Sequence, residues 1–198
     1  MKIVLASNNK KKVQEMRACL PETFSILTAA DFKIESPPET GTTFVENAII
    51  KARHSAQISG LPAIADDSGL EVDFLNGQPG IYSSRFAGDQ ATDADNNAKL
   101  LKVMAGVTER SARFRCVIVF LRHALDPMPI IASGTWEGVI LEAPDGEGGF
   151  GYDPLFYVPT LQSSVARLSA DEKRQFSHRG QALAAFSQAF SIAGKNDS

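Results

Sequence analysis

Apolar positions at the start of the chain follow first a strand period and then a helix period. Lys2 to Ala6 is a β-rich apolar run that ends in a turn at Ser7 to Asn9. Four apolar residues then recur at helical spacing: Val13, Met16, Cys19 and Leu20. Because Asn and Ser side chains accept hydrogen bonds from the first helical N–H groups, the turn suits a helix N-cap. The pattern predicts a strand, a tight turn and a helix.

The next segment repeats this order of elements. Thr43-Phe44-Val45-Glu46 is a capping box, which predicts a helix that runs to the stop signal Gly60-Leu61-Pro62. Ala63 to Ala65 then predicts a short buried strand, which we expect to end in an acidic loop at Asp66-Asp67-Ser68-Gly69. Leu70 to Phe74 alternates apolar and polar residues, as a separate half-buried strand does.

The second half of the chain is richer in long strands. Thr92 marks the start of another helix, and two long apolar runs follow at Ala112–Arg122 and Ile130–Leu141. Because only a short segment around Asp126-Pro127 joins these runs, they predict a hairpin and therefore an antiparallel part of the sheet.

Two helices are predicted near the C-terminus. Ser169-Ala170-Asp171-Glu172 is a second capping box. A final helix is predicted after Gly180, with four apolar residues on it: Leu183, Phe186, Phe190 and Ile192. The sum is an α/β protein with a long mixed β-sheet flanked by helices. No linker or repeat divides the chain, so we expect residues 1–198 to form a single domain.

Composition narrows the class of protein. The 198 residues are 43% apolar and 22% charged, with 20 Lys+Arg against 23 Asp+Glu and a net charge of −3. This balance gives no general attraction to nucleic acid or to anionic lipid, so any anionic ligand needs local cations. No signal peptide or membrane span is evident, and Cys19 and Cys116 resemble small buried apolar residues of a reducing compartment. We therefore expect a cytoplasmic protein.

Carboxylates supply the strongest chemical signal. Asp66 and Asp67 directly follow a buried strand, a place where ligand sites form in α/β proteins. Because successive strand side chains point in opposite directions, we expect the two acids to differ in role, one of them able to coordinate a hard cation. An Asp-rich turn that binds its own backbone is an equally good explanation. Glu39, before a helix, is by itself more typical of a solvated carboxylate.

Basic residues lie at element ends that favour phosphate. Lys10, Lys11 and Lys12 open the first helix, where backbone N–H groups attract anions, although lysine runs are usually solvated. Lys51 is one turn after Asn47 on its helix. His178 and Arg179 lie at a helix junction, and a lone histidine there is usually structural.

Several familiar nucleotide signatures are missing. The sequence has no P-loop, no H-E-x-x-H and no paired C-x-x-C. Gly146, Gly148 and Gly151 satisfy G-x-G-x-x-G, but Pro154 follows and no helix can open there, so we interpret the segment as a flexible loop. The carboxylates and basic residues described above are together the groups that one reaction requires. Triphosphate hydrolysis needs a carboxylate-bound metal, cations for the phosphates and a base for water.

At these residues the chain resembles the Ham1/RdgB-like pyrophosphatases of non-standard purine nucleoside triphosphates, over nearly its whole length. The shared motifs are Leu5-Ala6-Ser7-Asn8-Asn9 with Lys12, Glu39-Thr40-Gly41, Thr43 to Ala48, Lys51-Ala52-Arg53, Ala65 to Leu70, Pro79 to Arg85, Gly149 to Pro154 and Ser177 to Gly180. The resemblance implies hydrolysis of ITP, dITP and XTP to the monophosphate and pyrophosphate. It also implies a magnesium cofactor, a homodimer, and a two-lobed fold with the active site in the cleft between the lobes.

The resemblance also implies a role for each matched residue. Asp67 is similar to the family's general base and magnesium ligand, and Glu39 to its second metal ligand. Fifteen further residues match positions that bind the substrate: Ser7, Asn8, Asn9, Lys10, Lys11, Lys12, Lys51, Ser68, Phe150, Gly151, Tyr152, Asp153, Lys173, His178 and Arg179. One departure is clear, because Asn8 and Lys11 stand where the family's first loop usually has glycine. Since Asn tolerates left-handed backbone angles, we expect the turn to be kept.

Selectivity is expected from the base pocket. Hypoxanthine and xanthine carry an acceptor at position 6, where adenine carries a donor, so donors from Ser177 to Arg179 would discriminate between them. Phe150 is a candidate to stack on the purine, or else a core anchor. Two alternatives remain: a Maf-like pyrophosphatase with other nucleotide preferences, and a regulatory protein that binds nucleotides without hydrolysis.

Overall fold

The computed structural model describes residues 1–20 and 23–196. In these ranges it contains five α-helices: α1 Lys10–Cys19, α2 Phe44–Ser59, α3 Asp93–Val103, α4 Ala170–Phe176 and α5 His178–Asn196. Its seven strands are β1 Lys2–Leu5, β2 Ser25–Thr28, β3 Ala63–Val72, β4 Ser111–Leu121, β5 Ile130–Ile140, β6 Phe156–Val158 and β7 Ser163–Ser164. None of these helices is both long enough and apolar enough to cross a lipid bilayer.

The seven strands form one sheet in the order β2-β1-β3-β4-β5-β6-β7. β1 pairs in parallel with β2 and with β3, whereas β6 pairs antiparallel with both β5 and β7. The predicted mixed α/β sheet flanked by helices is therefore confirmed. β4 and β5 are neighbours, as the hairpin pattern predicted.

Local signals placed most helix starts correctly. Thr43 and Ser169 each accept a hydrogen bond from the N–H of the residue three positions later, and Glu46 and Glu172 return the capping-box contact. Thr92 caps α3 in the same way. Gly60 ends α2 with φ of 68°, a left-handed angle that glycine adopts without a Cβ clash.

Three local predictions were wrong or incomplete. The segment Asp66-Asp67-Ser68-Gly69 is no loop, because β3 runs without a break from Ala63 to Val72. The last helix begins at His178, two residues before Gly180, so Gly180 lies in its first turn and is no boundary. Strand β2 was not predicted at all, since Ser25 to Thr28 is only four residues long and does not alternate apolar and polar side chains.

Contacts divide the chain into two compact units. The first unit comprises Met1–Asp67, Cys116–Gly134 and the segment from His178, and the second comprises Ser68–Arg115 and Thr135–Ser177. In the first unit, alternate strand residues enter different apolar clusters. Ile64 packs in the cluster that holds Met16 of α1 and Phe186 of α5, whereas Ala65 packs in the cluster that holds Ala48 and Ala52 of α2. Helices therefore cover both faces of this part of the sheet.

The second unit has its own core. Leu70 and Val72 of β3 pack in one cluster with Leu100 of α3, and Phe114 meets Phe156 with ring centroids 4.5 Å apart. Each unit thus has a buried apolar interior that holds the strand ends and loops on which the candidate site residues lie.

Candidate active site

Asp66 and Asp67 lie side by side on β3 but face opposite sides of the sheet. Asp66 shares the face of Ile64, toward α1 and α5, and Asp67 shares the face of Ala65, toward α2. This follows from the two-residue period of a strand. The expected difference in role therefore has a structural basis, although the acids are inside a strand and not in a loop.

On the α2 face, one lysine joins two carboxylates. The Lys51 ammonium lies 2.7 Å from Asp67 Oδ1 and 3.1 Å from Glu39 Oε1. Asp67 is 6% exposed, and its Oδ2 atom is buried with no hydrogen-bond partner among the described residues. Burial raises the pKa of Asp67 in spite of Lys51, while the nearby carboxylates outweigh burial and raise the pKa of Lys51.

The segment that carries Glu39 is held by the start of α2. Gly41 donates its N–H to Asn47 Oδ1 at 2.8 Å, and Asn47 is completely buried. A Cβ at Gly41 would come within 2.6 Å of Glu46 Cβ and 2.7 Å of Asn47 Oδ1, so only glycine fits this contact. The approach to α2 therefore fixes the backbone two residues after Glu39.

On the other face, Asp66 is enclosed by cations. Its Oδ2 lies 3.1 Å from Lys12 Nζ and 3.3 Å from Arg179, and the guanidinium of Arg179 also pairs closely with Glu15. Asp66 and Arg179 are each 2% exposed. Burial alone would raise the pKa of Asp66, but Lys12 and Arg179 outweigh it and hold that pKa well below its usual range.

The first loop is organised as a helix cap. Asn9 Oδ1 accepts the N–H groups of Lys11 at 3.0 Å and Lys12 at 3.2 Å, and α1 begins at Lys10. Asn8 Nδ2 lies 3.3 Å from Ser36 Oγ. Neither Asn8 nor Lys11 has a positive φ, so this turn needs no glycine at those positions and the departure from the usual motif is accommodated.

A small pocket adjoins this loop within the first unit. Its lining includes Ser7, Asn8, Ser36 and Lys51. Of the residues with predicted roles, the first unit thus brings together the Ser7 to Lys12 loop, Glu39, Lys51 and Asp67. Among the described residues no group of three or more His, Cys, Asp or Glu side chains could hold a metal. Glu39 and Asp67 form a carboxylate pair through their shared contact with Lys51.

His178 and Arg179 form the first turn of α5, close to β5. A Cβ at Gly134 would lie 2.1 Å from the His178 carbonyl oxygen and 2.7 Å from Ala182 N, so the helix backbone rests directly on the strand. His178 is 6% exposed. Glycine at 134 therefore permits the close contact that positions this turn.

The predicted residues of the second unit form a separate cluster around Asp153. Its Oδ2 accepts the Phe150 N–H at 2.8 Å and lies 2.7 Å from Lys173 Nζ, which in turn sits 4.3 Å from the centroid of the Phe150 ring. Tyr152 is buried, and its hydroxyl donates to the Ser83 carbonyl at 2.8 Å. Ring, carboxylate and ammonium are thus held as one group.

Ser68 and Gly151 complete the predicted set. Ser68 follows Asp67 on β3 and is half-buried, and Gly151 lies in the loop between Phe150 and Tyr152 with φ of 60°. Sequence reasoning missed Glu15, which pairs with Arg179, and Asn47, which holds Gly41. For Asn47, the sequence offered one signal: it lies one helical turn before Lys51 and therefore on the same face of α2.

Comparison with known proteins identifies the family of the chain. The sequence pattern that defines the Ham1 family matches residues 3–189. The chain belongs to the Ham1 family. It is 58% identical to the dITP/XTP pyrophosphatase of Vibrio cholerae over 185 residues, which are 92% of each chain, and 53% identical to that of Escherichia coli over 92% of this chain and 94% of the relative.

Solved structures of the Ham1 family have the same fold. A HAM1 protein from Coxiella burnetii is 48% identical with a TM-score of 0.91, over 97% of this chain and 99% of that chain. The Staphylococcus aureus Ham1 protein is 40% identical with a TM-score of 0.86, over 98% and 100%. Family membership removes the Maf-like alternative.

Proposed function

We propose that this Ham1-family protein hydrolyses dITP, ITP and XTP to the monophosphate and pyrophosphate, which keeps deaminated purines out of DNA and RNA. The observation that carries the proposal is the pair Glu39 and Asp67, both in contact with Lys51, in a chain 58% identical to a dITP/XTP pyrophosphatase. Carboxylates beside a lysine suit a metal-bound polyphosphate, whereas a protein that only bound the nucleotide would gain little from them.

We propose magnesium as the cofactor, held by Glu39 and Asp67. Two features fit a hard cation: the buried Asp67 Oδ2 that has no protein partner among the described residues, and a second carboxylate that shares Lys51 with it. Two protein oxygens suffice, because Mg²⁺ keeps several waters and takes further oxygens from phosphates. When bound, the ion would polarise the phosphate oxygens.

The proton chemistry is assigned to Asp67. We expect its carboxylate to accept a proton from water as the water oxygen bonds to the α-phosphorus. The bond from that phosphorus to the bridging oxygen breaks, and pyrophosphate leaves with the bonding electrons. Lys51 and Lys12 are the cations that offset its charge, with the N-terminus of α1 as a further source of N–H donors.

Base recognition is assigned to two groups of residues. Phe150 offers a ring held by Lys173 and Asp153, and we propose that the purine stacks on it. At the start of α5, Arg179 already pairs with Asp66 and Glu15. We therefore propose that Arg179 holds the turn and that His178 and its neighbours donate to the position-6 oxygen of hypoxanthine or xanthine.

Two broader properties belong to the same proposal. We propose that the protein acts as a homodimer, as the family resemblance implies. We also propose a cytoplasmic location, because nucleoside triphosphates are polymerised inside the cell.

The test is pyrophosphate release from equal concentrations of ITP, dITP, XTP, ATP and GTP, with magnesium and with a chelator. We expect fast release from the first three in magnesium only. Asp67→Asn serves as the control that keeps side-chain shape, and its rate should drop to background. Tight nucleotide binding without release from any substrate would overturn the proposal in favour of a regulatory binding protein.

A further inference from the structure

Two side chains of helix α3 bind the backbone N–H and the backbone carbonyl of a single residue in the loop of residues 146–151, called here the Phe150 loop. Asp93 Oδ2 accepts the Gly151 N–H at 2.7 Å, and Asn97 Nδ2 donates to the Gly151 carbonyl oxygen at 2.9 Å. Residues four apart lie on the same face of a helix, so both side chains reach the same residue. We call Asp93 and Asn97 the α3 clamp.

The loop needs an external anchor. Gly146, Gly149 and Gly151 all have left-handed φ angles, of 83°, 77° and 60°, and the segment lies outside the helices and strands. Glycines in such a segment leave the unfolded backbone especially free, so ordering it requires specific contacts. Two hydrogen bonds to one residue supply them.

Asn97 is committed to this contact. Its Oδ1 atom is buried and accepts no hydrogen bond from the described residues, so the Nδ2 bond to Gly151 is what the amide gains there. A buried acceptor without a partner costs free energy and calls for an explanation, and the Nδ2 bond to Gly151 supplies one. The neighbouring Asn96 makes a comparable grip elsewhere, accepting the Ala87 N–H at 2.8 Å and donating to the Ser84 carbonyl at 3.1 Å.

We propose that Asp93 and Asn97 are positioning residues for purine recognition. They fix Gly151 and, through it, the neighbouring Phe150 ring and the Asp153 carboxylate that accepts the Phe150 N–H. The inference rests on the proposed function, because it takes the Phe150 group as the base-binding part of the site. The clamp should then govern affinity and selectivity for the base more than the chemical step.

The first test is the kinetics of Asn97→Ala with ITP and ATP. Loss of about 1.4 kcal/mol, within the range for one hydrogen bond, corresponds to about a tenfold rise in KM for ITP with little change in kcat. The ratio of kcat/KM for ITP over ATP should fall as well. Lys102→Ala, an exposed substitution on the same helix, is the control and should leave both values unchanged.

The second test separates the hydrogen bond from the charge of Asp93 at the N-terminus of α3. Asp93→Asn keeps an acceptor oxygen but removes the charge, whereas Asp93→Ala removes both. We expect KM for ITP to rise in Asp93→Ala and to recover most of its original value in Asp93→Asn. KM values that rise equally in the two variants would mean that charge at the helix end matters, and unchanged values in both would mean that neither charge nor contact does. Either result would overturn the role of the contact.

A double-mutant cycle with Phe150→Ala tests the route of action. If the clamp works through the Phe150 loop, Asn97→Ala should have almost no further effect on KM in the Phe150→Ala background. Additive effects would overturn the proposal. If the unmodified protein hydrolyses ITP and Asn97→Ala leaves KM unchanged, only the role of the clamp is overturned. If the unmodified protein does not hydrolyse ITP, the proposed function is overturned and the role of the clamp with it.

Discussion

Asp66 and Asp67 are adjacent on β3 but face opposite sides of the sheet, and the pKa shifts of their carboxyl groups have opposite signs. Asp66 faces α1 and α5 between Lys12 and Arg179, and these cations hold its pKa low in spite of complete burial. Asp67 faces α2 with Lys51, and burial raises its pKa. Neighbouring cations therefore fully compensate the negative charge of Asp66 but only partly compensate that of Asp67.

We propose that this difference separates a carboxylate with a structural role, Asp66, from one with a chemical role, Asp67. A buried carboxylate between two cations has little left to offer a ligand, and its removal leaves those cations uncompensated. A buried carboxylate with one oxygen that has no protein partner among the described residues can still accept a metal or a proton. We therefore assign packing to Asp66 and chemistry to Asp67.

Asp67→Asn tests the chemical face and should have the largest effect. Loss of a general base lowers rates by about 10²–10⁴-fold, and loss of a metal ligand adds to that. The unfolding free energy in chelator should stay the same or rise, because the folded state disfavours the ionised Asp67. Initial rates of pyrophosphate release and urea unfolding measure the two quantities. Normal turnover by this variant would remove Asp67 from the mechanism.

Asp66→Asn tests the structural face. Removal of one partner from a buried ion pair costs about 3–5 kcal/mol, so the urea midpoint should fall clearly. Asp67→Asn, one residue away and of the same shape, is the matched control and should not show this loss. A protein of unchanged stability but without activity would give Asp66 a chemical role and break the contrast between the faces.

Lys51→Met tests how the two carboxylates of the α2 face are compensated. In chelator, Glu39 and Asp67 would face each other without a cation, so we expect a loss of about 1–3 kcal/mol in unfolding free energy. Magnesium should then raise the thermal midpoint more in Lys51→Met than in the unmodified protein, because binding to the folded state stabilises it. An equal magnesium response in both proteins would show that Lys51 and the ion do not share these oxygens.

Thiol labelling gives the smallest expected effect and reports on the Asp66 face. Cys116 is fully buried, and burial raises the pKa of its thiol to about 12, whereas Cys19 is half-buried. A thiol reagent at pH 8 should modify Cys19 first and leave Cys116 unmodified in the folded protein. If Asp66 helps to keep this face of the sheet closed to solvent, Asp66→Asn should increase the labelling of Cys116. Rapid labelling of Cys116 in the unmodified protein would contradict a closed interior.

Much of the fold could be predicted from local patterns in the sequence. Caps at Thr43, Thr92 and Ser169 placed three helix starts, because each signal acts within one helical turn. Apolar runs located the long strands β4 and β5 to within one residue at each end. Strand β2 escaped, since a four-residue edge strand is stabilised by pairing with β1 and not by its own pattern.

The continuity of β3 was also beyond local pattern. Asp66 and Asp67 look like a loop in sequence because buried acids are rare inside strands. Asp66 pairs with Lys12 and Arg179, which lie 54 and 113 positions away, and Asp67 pairs with Lys51, which lies 16 positions away. These distant cations compensate the two buried carboxylates and so let the strand continue through them.

The sequence by itself determined the class of the fold, the alternation that sends Asp66 and Asp67 to opposite faces, and the family whose motifs the chain carries. These depend on spacing and on residue type, which are local quantities. Tertiary structure alone decided which carboxylate is compensated and which keeps an oxygen available. It also decided that Asp93 and Asn97 of α3 hold Gly151. Contacts between distant segments set burial and charge compensation, and those two quantities decide what a side chain can do.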